Sequence, residues 1–252
     1  LHIAEGANDM TTYSIFLGDN SLMLGHRNSE WCGHGPVLEQ DIAITNISLD
    51  LIGQARYFYQ LAAHSMPEGT TEDTLAYTRD VRDFRNCLIT ELPRGDWAFT
   101  VLRQFFFSNY QSLVFQKLAA GSNPDLSAIA GKALKETNYH LRWSSEWVIR
   151  LGDGTEESHR RILNALETLW SYTGELFQPA DYESVEMTGF DLTALKEPWL
   201  AATKEVFGEA GITVPAGSWS HSGGKSGSHT EHLGFLLADL QFVQRAYPNS
   251  AW

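Results

Sequence analysis

Apolar residues recur along most of the chain at spacings of three and four, the period of an α-helix, and strand-like alternation is nearly absent. The spacing predicts a first helix over residues 12–31, ended by "CGHGP". Gly33 and Gly35 suit a helix stop, and Pro36 suits the first turn of the next helix. That second helix is expected to reach about residue 64. Its apolar positions fall into two sets: Leu38, Ile42, Leu49 and Ile52 on one face, and Ile44, Ile47, Leu51 and Phe58 on another. A helix apolar on more than one face is expected near the centre of a bundle.

A polar stretch, "SMPEGTTEDT", leads into shorter helical segments across 72–92, and "LPRGD" then breaks the chain. A long helix follows over 97–120, with Asp96 placed to cap it and Gly121 to stop it. Further helices are predicted over 125–151, capped by Asp125, and from Thr155 to about residue 177. Residues 178–190 read as irregular. "DLTALKEPWLAATKEVFGEAG" reads as partly helical, interrupted at Pro198, and "PAGSWSHSGGKSGS" reads as a loop before a last helix in "HTEHLGFLLADLQFVQRAY". Four or five long helices joined by short breaks make an all-α, up-and-down bundle with long central helices.

Composition narrows the partners. Hydrophobic residues make up 43% of the 252, enough for a packed interior, yet no run approaches the roughly 18 apolar residues of a membrane span. A net charge of −13 argues against nucleic acid or an anionic membrane as the main partner. The two cysteines, Cys32 and Cys87, form no metal-spaced pair and read as free thiols in a reducing compartment. The opening "LHIAEGAND" lacks the basic and apolar regions of a signal peptide, so the expected compartment is the cytoplasm. Met10 can serve as a start, which sets residues 1–10 aside as an N-terminal extension and leaves 11–252 as a single domain.

Bundles with long central helices can hold two irons, using one Glu from each of two helices and a Glu-x-x-His pair from each of the other two. The helix over 97–120 has no acidic residue and offers Ser108, Asn109 and Gln111 at mid-length. In the second helix Asp50 is followed three residues later by Gly53, which has no side chain. In the helix over 125–151 the residue three after Glu136 is Tyr139, and His140 falls one step late. Glu136 and His140 can still share a face. They are either a pair of metal ligands or a buried hydrogen-bonded pair, and the second is favoured because one acid–histidine pair cannot assemble six ligands. The Glu-x-x-His at Glu156–His159 sits in the first turn of a helix, where acidic residues are favoured as caps.

"GGKSGSHTEHLG" is the most distinctive loop. Lys225 after glycines is reminiscent of a phosphate-binding loop, but Trp219 stands where such a loop needs its first glycine. Lys225, His229 and His232 are candidates for an interface or an anion contact, or for capping and packing the last helix. No nucleophile motif is present.

Four spaced stretches carry a closer likeness: "LGDNSLMLGHRNSEWCGHGPVLEQDIAITNISLDLIGQARYFYQLAA", "EDTLAYTRDVRDFRN", "KALKETNYHLRWSSEWVIRLGDGTEES" and "GGKSGSHTEHLGFLLADLQFVQR". Together they resemble the PaaC-type subunits of bacterial phenylacetyl-CoA 1,2-epoxidases, which are multicomponent monooxygenases of aerobic phenylacetate degradation. The resemblance implies a ferritin-like bundle and a non-catalytic, structural subunit with no cofactor of its own. It implies a related partner of the PaaA type that carries the di-iron centre and binds the substrate, a separate NADPH-dependent reductase, and a hetero-oligomer. Asp50, Gly53, Glu136, Tyr139 and His140 would then be a degenerate ligand region, a metal-free polar core where a site once stood. The alternative is an autonomous non-haem di-iron oxygenase or oxidase with an atypical ligand set, which would need ligands from the acid-free helix.

Overall fold

The structure is a computed structural model and describes residues 8–217, 219–248 and 250. Among these there are ten α-helices and no strand: α1 (Asp9–Ser29), α2 (Leu38–Ala63), α3 (Glu72–Tyr77), α4 (Leu88–Glu91), α5 (Trp97–Ala119), α6 (Pro124–Gly152), α7 (Glu156–Leu169), α8 (Val185–Thr188), α9 (Lys196–Glu209) and α10 (Glu231–Ala246). Short 3₁₀ turns fill much of 170–195. The first helix starts earlier than the periodicity suggested, with Asn8 accepting from the Thr11 N–H as its cap. Residues 8–10 are therefore part of the bundle, and the rest of the expected extension lies outside the described residues.

Caps explain several boundaries. Asp96 accepts from the Phe99 N–H and starts α5, and Thr155 and Ser158 close a reciprocal box at the start of α7. Asn123, not Asp125, caps α6, because Pro124 occupies the first turn, where no N–H is needed. For the same reason Pro198 does not interrupt α9: it falls in that helix's first turn. Pro36 precedes α2 instead of entering it.

Side-chain contacts fix how the four long helices run. Gly18 faces Tyr59 and Gly25 faces Leu51, so α1 and α2 are antiparallel. Ser112 meets Asn138 while Ser127 reaches back to Ala119, so α5 and α6 are antiparallel. Gln54–Glu136 and Lys132–Tyr57 join α2 to α6 in opposite senses, and Asn28–Gln104 and Trp31–Thr100 do the same for α1 and α5. Around the ring α1–α2–α6–α5 every neighbour is antiparallel, which makes α2 and α5 parallel. The chain must therefore return along the bundle between them, and residues 64–96, with α3 and α4, make that crossover. One long crossover in a four-helix bundle is the ferritin-like connection.

The enveloped helices are α1 and α5. Helices α7 and α9 lie on α5, while α4 and residues 181–183 lie against α1, whose Ile15, Leu22 and Met23 share a core cluster with Leu233, Leu236 and Leu237 of α10. This corrects the expected burial of α2 on both faces. Ile44, Ile47, Leu51 and Phe58 are fully buried, but Leu38, Ile42 and Leu49 are 72%, 52% and 62% exposed, and Ile52 also reaches the surface. Helices α2 and α6 are an outer wall that nothing in this chain covers. Among the described residues no helix is long and apolar enough to cross a membrane.

Candidate functional site

The spacing-based pairing of Glu136 with His140 is not the one the fold makes. His140 is fully buried, and its Nε2 donates to Asp50 Oδ2 on α2 at 3.0 Å, while Glu136 accepts from Gln54 Nε2 at 3.0 Å. A carboxylate only accepts, so His140 carries its proton on Nε2. Its Nδ1 then points into the bundle with no protein partner. That is how a histidine ligand is commonly held, one nitrogen fixed by a carboxylate and the other free.

The rest of a ligand set is missing. Asp50 and Glu136 are engaged in the seam between α2 and α6 and are partly open to solvent. Tyr139 is exposed and stays outside the seam, and at Gly53 a Cβ would meet nothing within 4 Å. On α5, Ser108 accepts from Gln104, Asn109 donates to the Trp199 carbonyl, and Gln111 leaves a buried oxygen unpartnered. Among the described residues no three His, Cys, Asp or Glu side chains are grouped to hold a metal ion. One free imidazole nitrogen facing neutral side chains does not fit a di-iron centre, which needs anionic ligands on four helices. The region is thus a polar seam and not the closed core implied by the resemblance. Glu156 and His159 also form no ligand pair, since His159 Nδ1 donates to the Gly152 carbonyl and closes the end of α6.

The loop at Lys225 is occupied from within. Lys225 is buried, with Nζ 2.8 Å from Glu183 Oε2 and donating to the Gln178 carbonyl at 2.9 Å. His229 lies between two acceptors, Glu91 Oε2 at 2.7 Å and the Phe84 carbonyl at 2.9 Å, so both ring nitrogens must carry protons. Burial opposes that charge, but the Glu91 hydrogen bond and charge, with the Phe84 carbonyl, outweigh it and raise the histidine's pKa. His232 is half-buried and its carbonyl accepts from Arg27. These groups clasp the C-terminal helix to the bundle. Lys225 and His229 are unavailable to an outside anion, which corrects their candidacy for that contact.

Sequence reasoning missed the carboxylates that organise this clasp. Glu91 accepts from Asn86, His229 and both the N–H and hydroxyl of Thr230. Glu175 accepts from the N–H groups of Leu88, Gly223 and Gly224, and burial still raises its pKa. Asp19 binds Arg79, Tyr59 and the Arg85 N–H in the interior. An acid in the middle of the apolar first helix was the available signal for Asp19; Glu91 and Glu175 gave none.

What stands open is the wall of α2 and α6. An apolar stripe of Leu38, Ile42, Leu49 and Ile52 runs down α2, and beside it α6 exposes Lys132, Lys135, Tyr139 and Arg142. Patches of this kind mark interaction surfaces.

An antiparallel four-helix ring with one crossover and a polar remnant at mid-length defines a ferritin-like helical protein. The chain belongs to the phenylacetic acid catabolic protein family, whose model matches residues 2–252. It is 44% identical over 248 residues to a subunit of the 1,2-phenylacetyl-CoA epoxidase of Escherichia coli (strain K12), the one of PaaC type, an alignment that covers 97% of this chain and 100% of that relative.

Proposed function

We propose that this chain is the structural, non-catalytic subunit of a phenylacetyl-CoA 1,2-epoxidase in aerobic phenylacetate degradation, acting in the cytoplasm beside a related subunit that holds the di-iron centre. The observation that carries the reading is the bare α2–α6 wall on a bundle lacking an iron ligand set. A subunit that needed no partner would gain by making those leucines and isoleucines polar. The partner of the PaaA type is proposed to lay a helical wall of its own on α2, with acidic groups opposite Lys132, Lys135 and Arg142. Two bundles joined in this way bury an obligate-sized interface, on the order of 2,000 Å² or more. The role is then to cover the partner's apolar helices and hold its ligand-bearing helices rigid, while a separate reductase supplies electrons.

The test is iron content after anaerobic loading with ferrous iron, on this chain alone and on the chain co-purified with its partner. No iron alone and about two per heterodimer is the expected result. Two tightly held irons in the isolated chain would overturn the reading, and so would a partner subunit that is soluble, metallated and active by itself.

A further inference from the structure

Away from both the seam and the wall, a cavity of about 270 Å³ lies between the 3₁₀ turns after α7, the start of α9 and residues 214–220. Its walls are largely aromatic: Trp170, Phe177 and Trp199 form the floor, with Trp199 centred 6.0 Å from Trp170 and 5.4 Å from Phe177. Trp219 forms one side and is 69% exposed, an indole held largely in water at the edge of an apolar recess. Its position is fixed from outside the cavity. Its ring meets His221 edge-on at 4.3 Å, His221 stacks on Tyr172 at 4.2 Å, and the His221 N–H donates to the Ser171 carbonyl. Gly174 makes this approach possible, because a Cβ there would strike the Ser220 side chain. The remaining feature is charge. Lys196 lines the same cavity, is exposed, and makes no ion pair with a described residue.

We propose that this cavity is a binding site for an aromatic carboxylate of one or two rings. The ring lies between Trp219 and the Trp170–Trp199 floor, and the carboxylate faces Lys196. Size, shape and charge each contribute. An apolar cavity of about 150 Å³ accepts benzene, so this one holds a ring with its substituent or a fused pair of rings, and not a nucleotide. Aromatic walls favour a flat ring over a saturated one through stacking and edge contacts. Insertion covers Trp219, and the lone ammonium selects an anion. The chain's net charge of −13 makes a free lysine at an apolar recess a local exception to a field that repels anions.

The site is tested on the full chain by saturation-transfer NMR and tryptophan fluorescence with four probes: 2-naphthoate, benzoate, benzamide and cyclohexanecarboxylate. For a ligand of this size the expected Kd for 2-naphthoate is about 1 mM, with benzoate weaker and cyclohexanecarboxylate several-fold weaker than benzoate. Trp219→Ala should weaken every aromatic probe about tenfold. Lys196→Gln should weaken the acids to the level of benzamide and leave benzamide itself unchanged. Both side chains are exposed, so both variants should melt as the parent does, and a thermal scan checks that they are folded. Absence of saturable binding by any aromatic acid would overturn the proposal. So would binding that neither substitution changes, or equal affinity for benzoate and its saturated counterpart. None of these results depends on where the irons of the epoxidase lie.

Discussion

His140 and Asp50 meet across the seam between α6 and α2 at 3.0 Å, with Nε2 of the imidazole fixed and Nδ1 turned inward to no partner. The orientation is that of a ligand and the surroundings are those of a hydrophobic bundle. If the irons reside in the partner, His140→Ala combined with Glu136→Gln leaves about two irons per heterodimer, measured by elemental analysis of the complex. The same pair of substitutions lowers the stability of the isolated chain by about 1–3 kcal/mol, through the lost hydrogen bonds and the small cavity at His140. Loss of one or both irons would place metal in this seam.

The wall of α2 predicts a different separation of effects. Leu49→Asp changes a side chain that is 62% exposed, so the unfolding free energy of the chain alone should move by no more than about 0.5 kcal/mol. Binding to the catalytic partner should fall by about 2 kcal/mol or more, roughly thirtyfold, if Leu49 lies in the middle of the interface. Leu163→Asp, on α7 and away from the wall, is the control and should leave binding unchanged. Paired titrations by calorimetry or surface plasmon resonance decide it.

Gly53 and Gly224 should respond in opposite ways to alanine. At Gly53, inside α2, an added methyl group meets nothing within 4 Å, so Gly53→Ala should stabilise the isolated chain by about 0.5–1 kcal/mol through helix propensity. A partner helix seated close on α2 would meet that methyl, and pairing should weaken. At Gly224 a Cβ would run into the Asn86 carbonyl, so Gly224→Ala should destabilise by about 1–3 kcal/mol with no effect confined to pairing. Denaturant titrations of both variants, with and without the partner, read the contrast.

Stability should also depend on pH through His229. Its folded pKa is raised by Glu91 and Phe84 against the opposing effect of burial. Its contribution is therefore fully present below the unfolded value of about 6.5 and is lost as pH rises through the folded one. Melting temperature should decline across that window in the parent chain and less steeply in His229→Gln, compared in matched buffers. A variant with the parent's slope would remove His229 from the account.

Much of this architecture was legible because it is local. Asp96, Thr155 and the acid-free run of α5 announce themselves in sequence, and the four long helices follow from their periodicity. What escaped was anything decided by a neighbour. Positions 136 and 140 share a helix face, but whether they bond to each other depends on Gln54 and Asp50, which sit on a helix more than 80 residues earlier and compete for them. The apolar stripe of α2 was visible, and its exposure was not, since amphipathicity shows that a face seeks cover without saying which chain supplies it. Lys225 misleads for a related reason. A glycine-flanked lysine looks available until Glu183 is found 2.8 Å away.

The clasp around Glu91 has a bearing on how the molecule is made. Glu91 sits at the end of the crossover, yet two of the residues that satisfy it, His229 and Thr230, are translated 138 and 139 positions later. Arg27 likewise reaches the His232 carbonyl across 205 residues. Until the last helix emerges, a nascent chain that has already collapsed around α1 must keep a carboxylate wet or leave it buried and unmatched. Such long-range closure slows folding and prolongs the exposure of apolar surface on the ribosome. The α2 stripe adds to that exposure, so production of this chain should favour synthesis alongside its partner, with the two finding each other as each is completed.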